Sequence, residues 1–171
     1  YPAGDSATGT YAMANALPGK EFPLVQAIEE QVYGAGEGNL NDESRIGSVY
    51  WNRGLGAAVM WIEALRNAQE MHDKVGQAVT GEEFRAGYEA LNMTPERLEE
   101  LGIGGMVAPF ELTCAKHNGA RAFAMMQWDG EKFVQVTDWL PPLDPDAIRT
   151  LIEDSAAKFA AENGITPRDC S

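Results

Sequence analysis

Long apolar runs are missing from this sequence. The longest runs are short: Gly56-Ala57-Ala58-Val59-Met60-Trp61-Ile62 is interrupted by Glu63, and nothing approaches the roughly 20 apolar residues that a bilayer crossing needs. A water-soluble chain with no direct membrane insertion is expected. Basic residues are also scarce: 13 Lys and Arg stand against 26 Asp and Glu, a formal net charge of −13. That charge repels phosphate backbones and anionic membrane surfaces, which argues against a nucleic-acid partner. The plainest use of the excess is solubility. Histidine is limited to His72 and His117, and neither has a partner at metal-ligand spacing, so no metal is expected. No phosphate-binding Gly-rich loop, dinucleotide fingerprint or nucleophile elbow is present, so no cofactor is expected either. Cys114 and His117 are close enough in sequence to suggest a thiol nucleophile, but no Gly-rich oxyanion loop flanks them. The expectation is therefore that this chain is not an enzyme. No basic and apolar leader precedes Tyr1; either one was removed or the chain is part of a longer one.

The two cysteines, Cys114 and Cys170, form no C-x-x-C. A disulfide between them would pin a tail that otherwise frays and would fit an oxidising compartment. Two free thiols is the other reading.

What the sequence does contain is a globular core. Hydrophobic residues are 44% of 171, enough for one domain and too short a chain for two ordinary ones. Thr10 to Ala16 alternates weakly, as a strand does, and Leu17-Pro18-Gly19 ends it. Phe22-Pro23 opens a helix with Leu24, Ile28 and Val32 on one face. Asn41-Asp42-Glu43-Ser44 offers N-caps for a long helix reaching about His72. Apolar residues cover most of its circumference from Ala57 to Ala68, which predicts a largely buried helix. Gly54 and Gly56 weaken it by about 1 kcal/mol each, so they serve close packing or mark a later start. Thr80-Gly81-Glu82-Glu83 is a capping box, followed by Phe84, Tyr88 and Leu91 as an apolar stripe. Thr94-Pro95-Glu96 opens a short helix carrying Leu98 and Leu101, stopped at Gly102. Phe110 to Thr113 is a short strand. Ala122 to Trp128 and Lys132 to Val136 are strands joined by Asp129-Gly130, a type I′ hairpin signal. Asp144 then caps a last helix with Ile148, Leu151, Ile152, Ser155 and Phe159 on its face, and Gly164 ends it. The fold class is α/β, helix-rich, with a β-hairpin near the C-terminus. A lone hairpin is not a stable sheet, so the strands are too few for the helices, and a fragment or an assembly is expected.

Several stretches follow one another across nearly the whole chain: Gly4-Asp5-Ser6-Ala7-Thr8-Gly9-Thr10-Tyr11, Val49-Tyr50-Trp51-Asn52-Arg53-Gly54, Glu63-Ala64-Leu65-Arg66-Asn67-Ala68-Gln69, Thr80 through Leu91, Cys114-Ala115-Lys116-His117-Asn118-Gly119 and Met126-Gln127-Trp128-Asp129-Gly130-Glu131-Lys132. In this order they resemble the branched-chain amino-acid binding family of periplasmic receptors, which serve ABC importers. The resemblance implies part of a two-lobed, type I periplasmic-binding-protein fold, with this chain corresponding to the C-terminal half of a longer protein. On that basis 1–18 would end a second-lobe segment and cross over, 19–118 would be a helical first-lobe segment, and 119–171 would return to the second lobe. The resemblance further implies a periplasmic location, an ABC permease as partner, and a small-molecule solute such as an amino acid, amide or carboxylate. A sensor or regulatory module of the same fold, binding a small molecule without transport, is the alternative. If the 171 residues stand alone, exposed helix faces imply a homo-oligomer.

By the same resemblance the ligand-facing positions are Tyr50, Trp51, Asn52 and Arg53 at the start of the long helix. They offer aromatic walls, an amide and a fixed cation. Arg53 can take a carboxylate bidentately; a structural ion pair is its other reading, as core packing is for Tyr50. Asp5, beside the inferred crossing, meets a ligand amine or caps a turn. Trp128, at a hairpin shoulder, reads as cross-strand packing.

Overall fold

β1 (Tyr11–Ala14) follows a 3₁₀ turn at Gly4–Ala7 and pairs antiparallel with a strand more than a hundred residues away, β4 (Ala124–Trp128). This computed structural model describes residues 4–119, 122–143 and 145–170. The chain divides into two compact units, Tyr1–Leu140 and Pro141–Ser171.

In the first unit, β5 (Phe133–Gln135) completes a three-stranded sheet in the order β1-β4-β5. Ala124, Met126 and Trp128 alternate inward along β4, the period-two pattern of a half-buried strand. The outward face of β1 leaves Tyr11 and Met13 exposed. The hairpin joins Trp128 to Phe133, whose rings meet edge to face at 5.3 Å. Its turn is not type I′. Asp129 N donates to Lys132 O, so the central residues are Gly130 and Glu131, and of these Gly130 alone has positive φ, +112°. That is the type II′ pattern, with glycine first. Asp129 instead uses its carboxylate to accept from the amides of Glu131 and Lys132.

The helices of this unit lie between β1 and β4 in the sequence. α1 (Pro23–Ile28) starts on Pro23 and passes into a π-helical segment, Glu29–Tyr33. This change of pitch defeats the expected stripe: Val25 is fully buried, whereas Val32 is exposed. α2 (Val49–Met71) starts later than the cap signals at Asn41 to Ser44 suggest. Asp42 caps only a 3₁₀ turn, Glu43–Arg45, and Gly47 at φ +79° interrupts the chain before Ser48 starts the helix. α3 (Gly81–Glu89) carries the expected capping box between Thr80 and Glu83. β2 (Asn92–Met93) pairs with β3 (Phe110–Glu111), and α4 (Pro95–Glu100) lies between them with Thr94 as its cap. Leu91, Met93, Leu98, Ile103, Met106 and Val25 are the largest fully buried apolar side chains. Most come from the segments that follow α3.

α2 is less buried than its composition predicts. Asn52, Gly56, Val59, Glu63, Ala64 and Ala68 face inward, but Tyr50, Trp61, Ile62 and Leu65 are exposed. Among the described residues that exposed side is covered only in part, as where Trp61 meets Phe84 at 5.6 Å. In the second unit, α5 (Asp146–Glu162) begins after Pro145 and ends before Gly164 at φ +63°. The expected cap, Asp144, lies outside the described residues. Neither Cys114 nor Cys170 is a free thiol; both are disulfide-bonded.

α2 and α3 approach so closely that a Cβ on Gly87 would lie 2.2 Å from the Ala64 carbonyl oxygen. Overpacking of this kind costs about 1–3 kcal/mol. Gly87→Ala is therefore expected to lower the urea midpoint by an amount in that range, whereas Gly81→Ala, where a Cβ meets open space, is expected to move it far less. Glu83 supplies a pH-dependent contribution. The Lys74 ammonium, 2.6 Å away, and the Thr80 amide hold its carboxyl down from 4.5 to about 2. Its folded-state value lies below the unfolded one, so its stabilisation is complete above about 4.5 and disappears as pH falls toward 2. Acid titration followed by circular dichroism should show Glu83→Gln losing stability relative to the parent at neutral pH, with the difference closing across that window.

Candidate functional site

The first turns of α2 separate structural from available groups. Asn52 is fully buried, and its Nδ2 donates to Leu17 O at 2.9 Å and Gly19 O at 3.0 Å. It thereby ties α2 to the segment that follows β1. Its Oδ1 is buried with no hydrogen-bond partner among the described residues. Trp51 packs against the core cluster. Tyr50 is 79% exposed. Arg53 is exposed and forms no ion pair with a described residue.

Arg53 lies at a cleft of about 310 Å³ in the first unit. One wall is α2, through Gly56, Ala57 and Met60; the other comes from Met93, the loop carrying Ile103 and Val107, and Phe110 of β3. Gly56 leaves room here, since a Cβ would be 3.6 Å from Met106 Cε. The polar side chains are Arg53, Asn15, Tyr88, His117 and Asn118. His117 Nε2 is 3.2 Å from Glu89 Oε1, which orients the imidazole from the end of α3. A mainly apolar concavity with a few convergent polar groups is the usual form of a small-molecule site, and this volume sits at the lower end of the usual range. Among the described residues, no group of three or more His, Cys, Asp or Glu gathers as a metal centre requires.

A second depression is polar and belongs to an ion-pair network. Glu63 is 5% exposed, and its Oε2 accepts from Arg97 Nε at 2.8 Å while its Oε1 meets Arg66 Nη1 at 3.2 Å. Arg97 also reaches Glu100 at 2.8 Å. Glu100 first, then Glu63, raises the Arg97 pKa. These groups satisfy one another, so the network fastens α4 to α2 and offers little to a ligand.

Of the positions singled out in the sequence, Arg53 therefore lines the cleft. Asn52 sits beside it as a structural clamp, while Tyr50 and Trp51 do not line it. Asp5 is exposed in the Gly4–Ala7 turn, away from the cleft lining, with its carbonyl accepting from Thr8 N. Sequence reasoning missed Asn15 and Asn118 and weighed His117 only as a thiol partner or metal ligand. These three sit on segments separated by about a hundred residues, and no periodicity connects them. Cys114, disulfide-bonded, is not available as a thiolate.

The chain is similar to two solved structures. One is an ABC transporter permease from the Pseudomonas fluorescens group, 35% identical, with a TM-score of 0.90 over 99% of this chain and 40% of that one. The other is a branched chain amino acid ABC transporter from Thermus thermophilus with bound valine, 23% identical, with a TM-score of 0.61 over 87% of this chain and 37% of that one. The likeness is to ABC transporter components. The mixed α/β fold matches part of a type I periplasmic binding fold. This chain spans about two fifths of the length of either structure. No protein-family model and no curated protein matches it. Among the described residues, no helix is long and apolar enough to cross a membrane.

The neighbours Asn52 and Arg53 should separate in mutagenesis. Asn52→Ala removes two hydrogen bonds, one to the buried Leu17 carbonyl and one to the partly buried Gly19 carbonyl, and is expected to cost about 2 kcal/mol in urea denaturation. Arg53→Gln alters an exposed side chain and should leave the midpoint within about 0.5 kcal/mol of the parent.

Proposed function

We propose that this chain is the C-terminal portion of the solute-binding component of an ABC importer. In this role it binds a small amino acid, amide or carboxylate outside the cytoplasm and delivers it to a permease. The observation that carries the proposal is the superposition of 99% of the chain on an ABC transporter component at a TM-score of 0.90. A receptor role is favoured by the second structure, which holds valine, and by the apolar cleft with Arg53 at its edge. As a working division of the longer protein, 1–18 and 119–171 belong to one lobe and 19–118 to the other. On this reading the exposed α2 stripe at Tyr50, Trp61, Ile62 and Leu65 is covered by polypeptide upstream or by a second copy. The ligand-facing group is Arg53, flanked by Tyr50 and Trp51, with Asn52 holding the backbone beneath them. Asp5 approaches the ligand only if the lobes close.

A sensor of the same fold without a transport role would bind the same class of solute, and would differ in releasing nothing to a permease.

The test is a thermal-shift screen of the chain against amino acids, short amides and carboxylates. A ligand at about 100 times its dissociation constant stabilises the bound form by roughly 2.7 kcal/mol, which moves the melting point by several degrees. A shift confined to one chemical class is expected. If no class moves the melting point, these residues hold no competent solute site and the receptor reading fails for this chain.

A further inference from the structure

The cleft beside α2 is charged with one sign. Among the described residues its lining contains a guanidinium, an imidazole, a phenol and two carboxamides, but no Asp or Glu. Glu89, which contacts the lining residue His117 at 3.2 Å, also lies 3.9 Å from Arg85. In this chain Asp and Glu outnumber Lys and Arg by 26 to 13, and Arg66, Arg85, Arg97, Lys20 and Lys74 all have carboxylate partners. Arg53, by contrast with these, has no carboxylate partner among the described residues, and it shares a lining with Met60, Ile103 and Phe110. A free amino acid brings an ammonium as well as a carboxylate, and burying an ammonium without an anionic or well-directed acceptor is unfavourable. Among the described residues, the cleft lining offers that ammonium no carboxylate.

Resting on the solute-receptor reading, we propose that the cleft selects monocarboxylates with an uncharged apolar body, aromatic or branched aliphatic, over zwitterionic amino acids. The carboxylate pairs with Arg53 through a bidentate fork. His117 and Asn118 supply further donors at the cleft mouth. The apolar body lies against Met60, Ile103 and Phe110, which need no polar partner.

Calorimetric titration of the full chain with two matched sets decides this. The first set is hydrocinnamate, hydrocinnamamide and phenylalanine; the second is isocaproate, isocaproamide and leucine. In at least one set the carboxylate is expected to bind at least about tenfold more tightly than its amide or amino acid, the scale of one charge-assisted pair. Arg53→Gln should reduce carboxylate affinity to that of the amide with an unchanged melting point for the unliganded chain. Ala57→Phe, which fills the cleft from α2, should weaken carboxylate and amide together. Tighter binding of phenylalanine or leucine would overturn the proposal while leaving the receptor function standing. Carboxylate binding unaffected by both substitutions would also overturn it, since the site would lie elsewhere. Failure of both sets to bind would overturn it as well, and the broader screen would then judge the receptor function by itself.

Discussion

The contact between α2 and α3 at Gly87 is the constraint on which the rest of the first unit depends. With no side chain there, the Ala64 carbonyl and the Ala68 backbone come within van der Waals range of α3. That approach fixes where α3 ends. It therefore fixes Leu91 and Met93, both almost completely buried, and the short β2–β3 pair that follows. The Glu63–Arg97 pair then fastens α4 to the same helix, and Asn52 fastens its opposite end to the segment after β1. One helix thus organises three neighbours through three unlike interactions: close packing, a nearly buried ion pair and an amide clamp. The latter two are not interchangeable with hydrophobic contact, because each leaves a buried polar group unsatisfied when broken.

The cleft is a by-product of this arrangement. Small residues at Gly56 and Ala57 leave space on the face of α2 that lies between its buried side and its exposed stripe, and the loop through Ile103 and Val107 closes the far wall. Electrostatics then gives the space a character. In a strongly acidic chain, basic side chains are drawn into ion pairs, as Lys74, Arg66 and Arg97 are. Arg53 is free of such a partner among the described residues, and it is this residue that borders the cleft.

Much of the local structure was legible beforehand because it depends on neighbours in sequence. The Thr80–Glu83 capping box, the Thr94 cap before Pro95, the stop at Gly102 and the hairpin around Gly130 all involve residues within a few positions of one another. Misreadings arose where a local signal had competitors. Asp42 is a good cap, but it caps a 3₁₀ turn because Gly47 breaks the helix that would have followed. Asp129-Gly130 matches the type I′ signature, yet Asp129 spends its carboxylate on two backbone amides and the turn moves one residue onward. The π segment after Ile28 shifts a stripe that ideal helical spacing placed at Leu24, Ile28 and Val32.

The sequence by itself determined the helix-rich α/β class, most of the boundaries set by caps and glycines, and the acidic composition. Those features follow from backbone chemistry and composition, which act over short range. Only the tertiary structure decided that Asn52 is a clamp while its neighbour Arg53 borders a cleft. It also decided that His117 and Asn15 share that cleft across about a hundred residues, and that one face of α2 stays open although its composition reads as buried. The physical reason is the same in each case. A side chain's role depends on which distant segment packs against it, and periodicity along one helix carries no information about the partner on its other side.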